Sequence, residues 1–161
     1  DGLIQTMSID KNIALSNIGK YVNKFGLIDN KKEDQAVKGM IDEVHIKVAD
    51  KELPILSLSG GNQQKVVFAK GALTGPQIML LDEPSRGIDI GAKTEIFKLI
   101  YQYAKKGVSL LVVSSELEEI IAIADRIIVL SNGQKTAELT GDDITQDNLV
   151  KASYMGHHKA D

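Results

Sequence analysis

The sequence predicts an α/β fold, on three observations. Short runs that are wholly or mostly apolar stand at residues 78–81, 108–113 and 127–130, Ser109 being the one polar residue among them. Segments with apolar residues three and four apart alternate with those runs. Gly, Pro and Asn-Gly stops separate the two kinds of segment. Apolar strands that alternate with helices are the pattern of a parallel sheet covered on both faces.

The elements follow in order. Residues up to about Leu53 read as helix-rich and charged. Ser8-Ile9-Asp10 is a helix start before Ile13, Ala14 and Ile18. Residues 19–30 read as loop or weak helix. Residues 31–48 read as a helix, because Val37, Ile41, Val44 and Val48 form one apolar stripe, and this places His45 inside it. Residues 64–73 form a helix that Thr74-Gly75-Pro76 stops. Residues 78–81 form a buried strand. Residues 90–106 form a helix with Ile96, Leu99, Ile100 and Tyr103 on one face, ended by Gly107. A strand at 108–113 and a helix at 116–124 follow. Asn132-Gly133 joins strands 127–130 and 135–139 as a hairpin. Residues 145–153 form a last helix.

Composition narrows the function. With 43% hydrophobic and 25% charged residues, the chain fits one globular unit or most of one. A net charge of -3 argues against a dedicated nucleic-acid binder, and 4% aromatics argue against a base-stacking surface. With no cysteine, disulfide and thiol chemistry are excluded. No run reaches the roughly 20 apolar residues of a membrane helix. The start at Asp1-Gly2-Leu3, without Met, predicts a fragment or a processed piece. His157 and His158 beside Lys159 read as a solvated tail rather than a metal pair.

Two stretches carry the chemistry. In Leu58-Ser59-Gly60-Gly61-Asn62-Gln63-Gln64-Lys65, Ser59 is a helix N-cap and the glycines open the backbone to close approach. The helix behind them directs free N–H groups at an anion, phosphate being the common one. An ordinary capped helix explains the same residues equally well. In Ile78-Met79-Leu80-Leu81-Asp82-Glu83-Pro84, two acids end a strand, where α/β folds bind ligands. Asp82 is placed to hold magnesium through water, and Glu83 to orient or deprotonate an attacking water. The alternative is a pair of solvated acids in a turn.

Taken together, the order and spacing resemble the ATPases of ABC transporters. Residues 58–65 resemble their signature motif. Residues 78–83 resemble their Walker B strand with Glu83 as catalytic acid. Ser85-Arg86-Gly87-Ile88-Asp89 resembles their D-loop. The resemblance covers essentially the whole chain. It implies a P-loop NTPase (RecA-like) core lacking its N-terminal part, with the ABC helical subdomain. Residues 1–75 would be the helical subdomain and signature helix, and residues 76–161 the C-terminal half of the core. The Asn62-Gln63-Gln64-Lys65 and Ser-Arg-Gly-Ile-Asp variants resemble bacterial importers of ribose, galactose and related sugars. Their ATPase subunit fuses two ATPase domains, and this chain resembles the later part of the second.

The resemblance assigns roles by position. Ser59, Gly60 and Gly61 would contact the γ-phosphate of ATP held by the opposite domain, and Asn62, standing where the family has Gln, and Gln63 would belong to the same nucleotide-binding set. Asp82 would support Mg2+ at this domain's own site, and Asp89 would communicate across the dimer. Partners would be a second ATPase domain, permease subunits and, indirectly, a sugar-binding protein, at the cytoplasmic face of the membrane. Two departures stand out. Ser115 occupies the position of the family's switch His, and serine carries no transferable positive charge, so this domain's own site is expected to be weak or silent. No G-x-x-x-x-G-K-[ST] phosphate loop is present. Ala14-Leu15-Ser16-Asn17-Ile18-Gly19-Lys20-Tyr21 is a decoy that lacks the first Gly. The chain alone is therefore expected to bind ATP poorly and not to hydrolyse it. The competing readings are a soluble ABC ATPase of translation or DNA repair, and a non-catalytic regulatory or dimerising ABC fragment.

Overall fold

Residues 2–155 are described in a computed structural model, and they sort into two units, Asp1–Leu111 and Val112–Asp161. His157 and His158 lie outside the described residues.

The first unit begins with helix α1, Ile9–Ala14, which buries Ile9, Ile13 and Ala14. Asn12 is fully buried because its side chain closes the loop before the helix. Its Nδ2 donates to the carbonyls of Ile4, Met7 and Ser8, and its Oδ1 accepts from the Ile4 N–H at 2.8 Å. A 3-10 turn, Leu15–Tyr21, continues from α1, so residues 14–21 lie on helical backbone and not after a strand.

Helix α2, Asn30–Glu43, is capped by Asp29, whose carboxylate accepts from the Lys32 N–H. Its stripe is Val37, Met40 and Val44, all buried. The helix is shorter than the periodicity predicts, and His45 is not inside it. His45 adopts φ 54. The Ile46 N–H bonds to the Ile41 carbonyl and the His45 N–H to the Asp42 carbonyl. That pair of bonds is a Schellman ending, with His where Gly is usual. Ile46 then packs into the core, 6% exposed. Val48, at helical spacing from Val44, lies beyond the turn.

Helix α3, Gly60–Ala72, follows Ser59 and buries Val66, Phe68, Ala69 and Ala72. Strand β1, Ile78–Asp82, leads to helix α4, Ile90–Lys105, which buries Ile96, Leu99, Ile100 and Tyr103 as expected. Helices α3 and α4 meet through Phe68 and Tyr103, edge to face at 5.0 Å. The Tyr103 hydroxyl donates to Glu43 Oε1 at 2.7 Å, which ties in the end of α2. Burial and the Glu43 charge push the Tyr103 phenol up, and the Lys106 ammonium and that hydroxyl hold the Glu43 carboxyl down.

Strand β1 pairs with β2, Ser109–Val113, in a two-stranded sheet. The expectation of strands covered on both faces fails here. Met79 is buried, but Ile78 and Leu80 are 65% and 74% exposed, and Leu111 and Val113 are exposed as well. A strand is covered only where an element packs on it, and among the described residues the outer face of this pair carries none.

The second unit holds helix α5, Leu117–Ile123, strands β3, Arg126–Ser131, and β4, Gln134–Thr140, and helix α6, Gln146–Met155. Asn132 and Gly133 both take positive φ, 50 and 74, as a type I′ hairpin turn requires. The hairpin is antiparallel, with an irregularity between Val129 and Leu130. Its core is Ile127 and Val129 against Leu149 and Ala152, with Ile120, Ile121 and Leu139 packed around them. Ile128 and Leu130 point outward, so β3 too is covered on one face only. Among the described residues no helix is long and apolar enough to cross a membrane.

Candidate functional site

At the start of α3, Ser59 takes extended backbone and the Gln63 N–H closes the first helical bond to its carbonyl. The side chains around this turn hold one another. Asn62 Nδ2 donates to Ser59 Oγ at 3.1 Å, and Asn62 Oδ1 accepts from the Lys47 N–H at 2.9 Å. Gln63 Nε2 donates to the Leu58 carbonyl at 2.9 Å. A serine hydroxyl that accepts one bond keeps its own proton for another acceptor. Ser59 and Gly60 are exposed.

The two glycines differ. A Cβ on Gly61 would stand 2.4 Å from Ala92 Cβ, so its bareness is required by the packing of α3 on α4. A Cβ on Gly60 would meet only Ile88 Cγ2, at 3.8 Å, an ordinary contact. Gly60 has no positive φ to explain it either. Of the pair taken to admit another molecule, Gly61 is used inside the chain and Gly60 alone is left open.

Asp89 stands next to this turn. Its carboxylate caps α4 by accepting from the Ala92 N–H at 3.0 Å, and Ala92 is the residue against Gly61. The fold therefore brings Ser59, Gly60, Gly61, Asn62 and Asp89 to one place, where two helix N-termini meet.

Asp82 ends β1 and is exposed. Glu83 takes φ 46, a left-handed conformation that costs a non-glycine residue on the order of 1–3 kcal/mol. The Arg86 N–H bonds back to the Glu83 carbonyl at 3.2 Å, and Pro84 and Ser85 are buried beneath the turn. The connection from β1 to α4 thus turns sharply at Glu83 and again at Gly87, φ 75, before Asp89. Among the described residues no group of three His, Asp or Glu side chains could hold a metal ion. Asp82 can contribute one oxygen and not a protein-only cage.

In the second unit, Ser114 does the local work. Its Oγ accepts from the Glu116 N–H at 3.0 Å and donates to Glu119 Oε2 at 3.0 Å. Ser115 is exposed beside it.

Sequence reading passed over Lys65. It is 2% exposed, and its ammonium donates to the His45 carbonyl at 2.8 Å and pairs with Glu95 Oε2 at 2.5 Å. The Lys65 ammonium, and more weakly Lys47, holds the Glu95 carboxyl below its ordinary range. Its place four residues after Gly61 puts the two on one face of α3, but that this face meets α4 is set by the Gly61–Ala92 approach, which the sequence does not carry.

A family profile described as ABC transporter matches residues 1–86. The chain belongs to the ABC transporter family. It is 41% identical, over 95% of its length, to the xylose import ATP-binding protein XylG of Yersinia pseudotuberculosis serotype I (strain IP32953). It is 42% identical, over 94% of its length, to the ribose import ATP-binding protein RbsA of Clostridium perfringens (strain 13 / Type A). The chain spans 30% of the length of each of these curated relatives. Among solved structures it is similar to the ATP-binding cassette MJ0796 in its dimeric post-hydrolysis state bound to ADP and Pi, with a TM-score of 0.73 at 23% identity over 86% of this chain and 58% of that one. It is also similar to the ADP conformation of the cassette MJ1267, with a TM-score of 0.75 at 21% identity over 94% of this chain and 64% of that one. These likenesses show the fold: α/β, of the P-loop NTPase cassette type.

Proposed function

We propose that the chain is part of the ATP-binding subunit of a bacterial sugar importer, and that its turn at residues 59–62 faces ATP held by a second ATPase domain. The observation that carries this reading is Gly60. It is bare, exposed and required neither by packing nor by backbone conformation, which fits the close approach of a phosphate group. The Ser59 hydroxyl and the first N–H groups of α3 are the donors such a group needs. Kinship with xylose and ribose import proteins supports the sugar importer.

The other residues take roles consistent with this. Asn62 and Gln63 hold the turn in shape. Asp89 carries the turn's position into α4. Asp82 would reach Mg2+ through water at this domain's own nucleotide, with Glu83 beside it as the acid toward water. Ser115 supplies no cation where the switch His stands, so that second site is weak. Residues 1–75 would act as the helical subdomain and signature helix, and residues 76–161 as the later half of the core. The subunit would sit at the cytoplasmic face of the membrane against permease subunits that bring the sugar.

Because the chain has no cysteine, a single probe tests the contact. In the full-length protein cleared of other cysteines, Ser59→Cys is expected to react with maleimide about fivefold more slowly in ATP than without nucleotide, as a closed contact excludes reagent. Equal labelling rates with and without ATP would refute the reading.

A further inference from the structure

We infer that Lys65 is a positioning residue, which fixes the axial register of α3 against α4 and so the aim of Ser59 and Gly60. The inference rests on the reading of residues 59–62 as the nucleotide-facing turn.

The geometry is a ladder with two rungs. Gly61 and Lys65 share one face of α3, and Ala92 and Glu95 share one face of α4. The first rung is the close approach of Gly61 to Ala92. Contact between two small apolar groups sets the distance between helices but resists sliding weakly. The second rung is directional. One ammonium, almost wholly buried, is held by the Glu95 carboxylate at 2.5 Å and the His45 carbonyl at 2.8 Å. The left-handed turn at His45 sets that carbonyl's place. Two residues on, the Lys47 N–H holds Asn62, and Asn62 holds Ser59. The exit of α2 therefore grips α3 at two points, and both grips lead to the turn. A buried lysine is rarely retained for stability, because desolvating it offsets much of the pairing. Fixing one register among several is the use that remains.

Substitutions can separate register from folding. Glu95 is 42% exposed in its side chain, so in Lys65→Met its charge returns to water and is not stranded. A cleft of about 260 Å³, lined in part by Lys98, Leu99 and Gln102, opens beside the pair and gives the larger head of Lys65→Arg room.

The test uses the full-length protein with two readouts. In Lys65→Met, amide hydrogen exchange across residues 59–64 is expected to rise about fivefold while the unfolding midpoint stays within about 4 °C of wild type. ATP turnover is expected to fall about tenfold in kcat with KM within about twofold, because the residue acts on the transition state through the turn and not on ATP binding elsewhere. Lys65→Arg is expected to restore both. Wild-type exchange in Lys65→Met overturns the inference whatever the turnover. So does a parallel loss of kcat, KM and unfolding midpoint that Arg fails to rescue, which would mark a merely structural residue. A wild-type protein with no ATP turnover sinks the functional reading instead, and exchange still decides the register.

Discussion

The turn at residues 59–62 and the strand end at Asp82-Glu83 are separated by a single helix, yet the fold treats them differently. The turn is held from behind by three contacts. Asn62 binds the Lys47 backbone, Gly61 packs on Ala92, and Lys65 ties the end of α2 to α4. The acids end a strand whose outer face exposes Ile78 and Leu80, and Glu83 holds a left-handed backbone there. A motif is therefore divided labour. Some of its residues build the support and others face outward, and only the three-dimensional contacts separate the two sets.

The sharpest way to break this comparison is at Glu83. If the turn serves the productive nucleotide and the acid a weak one, Glu83→Gln is expected to change turnover of the full-length protein by less than about threefold, against the about 10²-fold or greater loss typical when a needed catalytic group is removed. A near-complete loss measured in a phosphate-release assay would make the two regions equal partners. The next effect is on stability. Gly61→Ala is expected to destabilise the fold by about 1–3 kcal/mol through overpacking against Ala92, read by thermal unfolding. Gly60→Ala is expected to leave the unfolding midpoint unchanged or slightly raised, since Gly is the poorer helix former. Asp89→Ala removes the α4 cap and is expected to cost about 1 kcal/mol in the same measurement.

The smallest effect is with pH. The Glu95 carboxyl is lowered in the folded chain by Lys65, so its contribution is present above the ordinary carboxylate value of 4.5 and is lost as pH falls through the lowered folded value. Lys65 and Lys47 are the charges that face it. The carboxyls of Asp34, Glu43 and Glu138 are likewise lowered by their own lysine partners and fade in the same acid range. Glu95→Gln is therefore expected to lower the unfolding midpoint modestly between about pH 6 and 8, where the pair contributes in full, and the difference from wild type is expected to shrink as pH falls through the lowered folded value of Glu95.

What the sequence revealed depended on how local its cause was. The face of Ile96, Leu99, Ile100 and Tyr103 and the Asn132-Gly133 turn follow from spacing and backbone preference, and both are present as read. The end of α2 was not legible. Val44 and Val48 continue the helical spacing, while the turn at His45 is set by Ile46 entering the core and by Lys65, far along the chain. The exposure of Ile78 and Leu80 was hidden because an apolar strand looks the same whether or not anything covers it. At the site, residue types marked the turn as a candidate but could not divide Gly60 from Gly61, a difference that depends on Ala92.

The central claim is that Gly60 is kept bare for a phosphate and Gly61 for the fold. The direct measurement is ATP turnover and thermal unfolding of Gly60→Ala in the full-length protein. The account predicts a loss of turnover of about tenfold or more with an unfolding midpoint no lower than wild type. Wild-type turnover in Gly60→Ala would contradict it.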